Sequence, residues 1–177
     1  IWENYLLVFL FFFLIIIFCL LGTWQVYRLQ WKLDLISEIN SGLNSELVFY
    51  SKTKIKNYQK VKFNGVFDFE KQVYLYSLNN KGTPGYDVIT PIKMNSNEIV
   101  LVNRGWIKKD VRDNKSINNI NSKFFEGILK KITKPNPFKP ENDIKNNIWY
   151  SLKLEDLESF TGYKLNNFVL YLQDNQN

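Results

Sequence analysis

From Tyr5 to Leu21 the chain reads YLLVFLFFFLIIIFCLL, seventeen residues without a charge, fifteen of them Leu, Ile, Val or Phe. At about −0.3 to −0.6 kcal/mol each on an insertion scale, these side chains together favour the bilayer by roughly −5 to −9 kcal/mol. The uncharged run continues to Tyr27, and a helix of that length, at about 1.5 Å per residue, covers about 34 Å against a hydrocarbon core of about 30 Å. A transmembrane helix over residues 1–27 is the expectation. A secretory signal fits less well, because its apolar region is usually only about 7–15 residues and Leu20-Leu21-Gly22-Thr23-Trp24 offers no small-x-small cleavage site.

The helical signal continues over residues 28–43. Trp24, Arg28, Trp31 and Leu35 fall on one stripe of a 3.6-residue helix. Two readings of that stripe stand side by side. It is an aromatic belt at the headgroup level with Arg28 and Lys32 snorkelling beside it, or Arg28 stacks on the two indoles and braces the helix against a domain or ligand. Charge alone leaves the orientation open, since long domains cross membranes largely regardless of it.

Residues 44–177 carry the texture of a sheet. Tyr58–Phe69 alternates Val61 and Phe63 inward against Lys60 and Lys62 outward, with Asn64-Gly65 as a bulge. Val73–Leu78, Tyr86–Met94 and Ile99–Ile107 form a β-meander, with turns at Lys81–Gly85 and Asn95-Ser96-Asn97. Asp110–Ser122 is a polar loop and Lys123–Leu129 another strand. Pro135, Pro137 and Pro140 forbid regular structure around them. Ser151–Thr161 forms a short amphipathic helix stopped by Gly162, and Phe168–Leu172 a last strand. The expected class is α+β: one long N-terminal membrane helix and a mainly antiparallel sheet, open or closed into a barrel.

The chemistry is bounded as firmly. The 177 residues contain no histidine, which removes Ser-His-Asp and Cys-His catalysis, histidine-ligated zinc or copper, and an axial histidine to haem from within these residues. No Gly-rich phosphate loop is present, and adjacent carboxylates such as Glu155 and Asp156 do not share a helix face. An enzyme is not expected, nor a resident metal. The lone Cys19 lies in the apolar run, so the rest of the chain can form no disulfide. With Glu3 set aside, the part from Gly22 onward holds 23 basic and 16 acidic residues, a net charge of +7. Beside a membrane that suits anionic lipid or an acidic partner; scattered lysines on an anchored chain argue against nucleic acid.

Several segments are more specific than a scaffold needs. LVNRGW, Leu101–Trp106, ends an apolar strand in an amide, a planar guanidinium suited to a carboxylate, a glycine and a flat indole. With the membrane exit LGTWQVYRLQWKLDLI, the run VKFNGVFD, then GYDVITP, FKPEN and WYSLKLEDLESFTG, in this order and spacing, it resembles the Surfeit locus protein 1 family from about Leu21 to Tyr171. The matching positions include Gly22, Trp24, Gln25, Arg28, Trp31 and Lys32 at the exit. In the domain they are Gly65, Gly85, Tyr86, Thr90, Pro91, Asn103, Arg104, Gly105, Trp106, Pro140, Glu141, Asn142, Trp149 and Tyr150.

The resemblance implies a membrane-embedded assembly factor for haem-copper oxidases, principally cytochrome c oxidase, whose bacterial members are associated with haem a. It implies two transmembrane helices flanking one domain on the outer face: the bacterial periplasm or the mitochondrial intermembrane space. The expected partners are membrane lipid, the oxidase core subunit and other assembly factors. Trp24, Arg28, Trp31, Arg104 and Trp106 are the expected contacts of haem a, with indoles near the porphyrin and Arg28 or Arg104 on a propionate. The function implied is to bind haem a and assist its insertion into the core subunit; the alternative is a scaffold that holds the oxidase subunit without haem. This chain departs from the family pattern in ending before the second helix and the histidine near it, and with Ile1 at its start it reads as a fragment truncated at both ends. No axial ligand can be assigned.

Overall fold

The structure, a computed structural model, describes residues 2–51, 56–94, 96–112 and 124–173. It divides into two compact units, Ile1–Ser41 and Gly42–Asn177. Residues 113–122 of the expected polar loop, together with Asn95 and Lys123, lie outside the described residues.

The first unit is helical. Helix α1 runs unbroken from Trp2 to Leu43, passing Gly22 without interruption. Its stretch from Asn4 is long and apolar enough to cross a membrane, and no residue of its most apolar eighteen-residue window is buried against protein. A chain that is apolar on every side has only lipid to bury against, and in lipid only a helix satisfies each backbone group internally. The Thr23 hydroxyl is satisfied in the same way, donating to the Cys19 carbonyl one turn back at 2.9 Å.

Among the described residues the second unit is a mixed sheet of nine strands: β1 (Val48–Phe49), β2 (Lys60–Phe63), β3 (Gly65–Phe67), β4 (Val73–Leu78), β5 (Pro84–Met94), β6 (Ile99–Lys108), β7 (Phe125–Lys131), β8 (Ile148–Trp149) and β9 (Phe168–Leu172). Their order is β1-β2-β7-β9-β6-β5-β4-β8, with β3 also on β5. Five pairings are antiparallel and three, β1–β2, β4–β8 and β6–β9, parallel. The expected meander is β4-β5-β6. Strand β9 inserts between β6 and β7, and it can do so because FVLYL is apolar on both sides: Val169 enters one core and Leu170 the other.

Those cores lie on opposite faces. Along β6, Val100 and Val102 join Val61, Phe63, Ile92, Phe125 and Leu129 on the first face, while Leu101 joins Val73, Ile89 and Trp149 on the second. Helix α2 (Leu154–Thr161) covers the second face through Leu157. It starts three residues later than Ser151, and Gly162 ends it in the left-handed region at φ 74°, donating to the Glu158 carbonyl.

Two expected strand features resolve differently. Tyr58–Phe69 is not one bulged strand: at Asn64 the chain leaves β7, the partner of β2, and joins β5 as β3. A Cβ on Gly65 would stand 2.5 Å from the Lys93 carbonyl oxygen, so glycine is what lets the backbones approach. Strands β2 and β3 thus lie at the two ends of the run β2-β7-β9-β6-β5-β3, and the Phe67 and Phe125 rings meet edge-on at 5.1 Å. Among the described residues no hydrogen-bonded pairing joins β2 to β3, so the sheet is curled but not closed into a barrel. The turn expected at Lys81–Gly85 is tighter, because the Asn79 side chain accepts from Lys81 and Thr83 N–H and frees Pro84 and Gly85 to begin β5.

Candidate functional site

The segment Asn103–Trp106 is a β-bulge. Asp87 pairs with Trp106 and Ile89 with Asn103, so β6 carries one residue more than β5 between these pairs. Gly105 takes φ +110°, a value that side chains rarely adopt, and the buried Asn103 side chain accepts its N–H at 2.9 Å. Without the bulge, alternation from Val102 would place Arg104 and Trp106 on the same face. With it, Arg104 stays on the first face and Trp106 turns to the second, opposite Asp87.

Arg104 is held by a buried polar pair. Its Nε donates to Thr90 Oγ1 at 2.9 Å and an Nη to Gln72 Oε1. The Thr90 hydroxyl donates to that same Gln72 oxygen at 2.9 Å. Gln72 Nε2 donates onward to the Tyr74 hydroxyl, which donates to the Arg112 carbonyl. Phe69 and Phe67 lie 5.0 and 5.9 Å from the Arg104 guanidinium carbon. Burial lowers the guanidinium to about 10, against a partial rise from Tyr74, so it remains a cation at neutral pH. Beside Thr90 in β5 stands Pro91. Its carbonyl accepts the Asp68 N–H where residues 69–71 loop away from β5, so a strand residue without an N–H is tolerated at the vacated edge.

A second cation continues the row. Arg112 lies 4.8 Å from the Tyr74 ring centre and 5.6 Å from that of Tyr86. Tyr86, 3% exposed, is edge-on to both Tyr74 and Tyr76. On the other face the Trp106 indole lies across Gly85, whose Cβ would fall 2.4 Å from it, and donates to the Ser77 carbonyl at 3.3 Å. There Asn103 also hydrogen-bonds Tyr171, whose hydroxyl is raised by burial and by Asp87.

The remaining motif residues brace the domain. Asn142 accepts from Tyr150 and Ser151 N–H and donates to Asp156 at 2.8 Å, tying the Pro-rich loop to β8 and α2. Trp149 is wholly buried, edge-on to Phe160, its indole donating to Asn147. Tyr150 packs on Tyr76. Pro140 and Glu141 are exposed. In the first unit Gly22, Trp24, Gln25, Arg28, Trp31 and Lys32 are all exposed, and the Arg28 guanidinium sits 5.4 Å over the Trp24 ring. Among the described residues it makes no ring contact with Trp31. Gln72, Tyr74, Phe69 and Arg112 escape a reading by motif. The one signal for them is a glutamine in front of an apolar strand, whose polarity gives no hint of its 5% exposure.

Among the described residues the domain offers haem iron no accessible histidine, methionine or cysteine. Histidine is absent, Met94 is 6% exposed inside the first core, Cys19 lies on the apolar helix, and no metal-holding group of His, Cys, Asp or Glu occurs among the described residues.

A helix fit to anchor in a membrane, followed by an α+β domain whose bulged central strand holds an internally bonded arginine, defines the class of protein. The chain belongs to the SURF1 family, whose model matches residues 12–177. It is similar to the SURF1-like protein of Rickettsia bellii (strain RML369-C), 34% identical over 88% of this chain and 66% of that protein. Surfeit locus protein 1 of Gallus gallus is 32% identical over 82% of this chain and 54% of the relative. That of Mus musculus is 31% identical over 80% and 54%. The chain spans about half to two thirds of the length of these curated relatives.

Proposed function

We propose that this chain is a membrane-anchored assembly factor for haem-copper oxidases, cytochrome c oxidase foremost, which acts by binding an oxidase subunit during assembly rather than by catalysis. Its domain faces the periplasm of a bacterium or the mitochondrial intermembrane space. The family match over residues 12–177 carries the reading. The internal engagement of Arg104 by Gln72 and Thr90 supports the protein-binding form of it, since donors committed to the fold are poorly placed to receive a propionate. A second reading, in which the chain also contacts haem a, rests on the exposed Arg28–Trp24 pair.

The test is disruption of the gene in its own host, with assembled oxidase followed on native gels and haem by difference spectra. Loss of assembled oxidase, restored by the intact gene, is expected; wild-type oxidase without the protein would refute the proposal. Purification of the detergent-solubilised protein with its oxidase partner divides the two readings. A colourless complex supports the first, and stoichiometric haem a lost on Arg28→Ala supports the second.

A further inference from the structure

The second face of the sheet carries a groove unconnected with Arg104. Two hollows of about 260 and 350 Å³ adjoin, sharing residues 132–135 and Leu152 as a common wall. Their floor is apolar, from Leu75, Leu152 and Val169. Their rim holds Lys130, Lys131, Lys134, Lys139 and Lys153 against one carboxylate, Glu155. Among the described residues none of these lysines has a carboxylate within ion-pair distance; the one pair found there is Lys62–Glu126. Lys130 lies over the Tyr171 ring and Lys139 donates to the Tyr150 carbonyl, so both ammonium groups are placed without being neutralised.

Beside the rim stands Phe138, 94% exposed. Its turn is stiff: the Asn136 side chain accepts the Phe138 N–H at 2.9 Å, the Asn136 carbonyl accepts that of Lys139 at 3.0 Å, and prolines stand at 135, 137 and 140. A large aromatic presented on a rigid turn loses little entropy when it is covered, the property of an interface anchor. The smaller hollow falls below the about 300–1,000 Å³ of pockets for free small ligands, and the two in line make a groove rather than a chamber. An extended segment fits that shape. Five unneutralised cations over an apolar floor ask for carboxylates alternating with apolar side chains.

We propose that this groove docks an acidic, extended segment of a partner protein, with Phe138 as the apolar anchor at one end. The inference stands on the groove itself and does not depend on which assembly the chain serves.

The test uses the full chain in neutral phosphatidylcholine nanodiscs and a fluorescein-labelled peptide of alternating glutamate and leucine, read by anisotropy. Saturable binding is expected, weakened about 10-fold by Lys131→Glu with Lys134→Glu and about 3-fold or more by Phe138→Ser, as for an aromatic interface anchor. The pair Lys81→Glu with Lys93→Glu makes the same change of net charge on exposed sites away from the groove and should leave affinity within about 2-fold, as expected of screened distant charge. Equal weakening by both charge-reversal pairs would overturn the proposal in favour of non-specific attraction. Full displacement of the peptide by inorganic phosphate would overturn it in favour of a simple anion site. Absence of peptide binding, with a bimane on Phe138→Cys shifting to the blue when phosphatidylglycerol is added to the discs, would assign the surface to lipid.

Discussion

Replacing Gln72 by leucine removes the one oxygen on which Thr90 and Arg104 converge while keeping the volume of the side chain nearly constant. Thr90 is 0% and Gln72 5% exposed, so water cannot take the place of the lost acceptor. An orphaned buried hydroxyl costs about 1–3 kcal/mol. The half-buried guanidinium adds about 1 kcal/mol after allowance for solvent screening. The Asn147 bond to Gln72 uses the backbone carbonyl and survives. A loss of about 2–4 kcal/mol corresponds to a fall in Tm of about 10 °C for a domain of this size, measured by tryptophan fluorescence on the detergent-solubilised chain. The mechanism has a sharper consequence in the triple variant Gln72→Leu, Thr90→Val, Arg104→Met. Replacing every partner by an apolar group of similar shape leaves nothing unsatisfied, so most of the loss should return. A triple variant no more stable than Gln72→Leu alone would refute the idea that unmet polarity, rather than packing, governs this site.

Gly105→Ala forces a Cβ onto φ +110° and should cost about 1–3 kcal/mol, seen as a lower Tm, although nothing stands within 4 Å of the added atom. Asn142→Ala removes the acceptor of two N–H groups and a donor to Asp156 and should lower stability by about 1–3 kcal/mol, with faster amide exchange at Tyr150 and Ser151 as the local readout. Tyr163, raised above 10.0 by its hydrogen bond to Asp68 and then by burial, and Tyr171, raised by burial and Asp87, bind their protons more tightly folded than unfolded. Their contribution is complete below about pH 10 and falls as pH rises through the folded values. Tyr163→Phe should therefore flatten the alkaline end of the stability profile and remove one tyrosinate absorbance from the part of the titration above pH 10.

The helix and most strand cores were legible because each rests on a local pattern. Seventeen uncharged residues need no tertiary partner to be helical in lipid, and Val61–Phe63, Val73–Leu78 and Phe168–Leu172 carry the alternation or apolar density of strands. The site was legible in part. Gly65 was visible as a glycine at a bulge and Gly105 as a motif glycine at a strand end, but the first turned out to mark a change of partner strand between β7 and β5 and the second the bulge that redirects Trp106. Gln72 was not legible at all. Its burial depends on β3 and β4 sharing one edge of β5, with residues 69–71 looping between them, an arrangement made by strands brought together from both sides of the loop.

By itself the sequence determined the membrane-competent helix, the α+β class and the family, because hydropathy, residue type and motif order are properties of the chain read in line. Tertiary structure alone decided that the sheet curls without closing and that β9 enters its middle. It also decided that Arg104 is committed to Gln72 and Thr90, and that five lysines meet along one groove. Those outcomes depend on pairings between residues distant in sequence, where each strand chooses among several apolar partners and only the burial of both faces at once selects one.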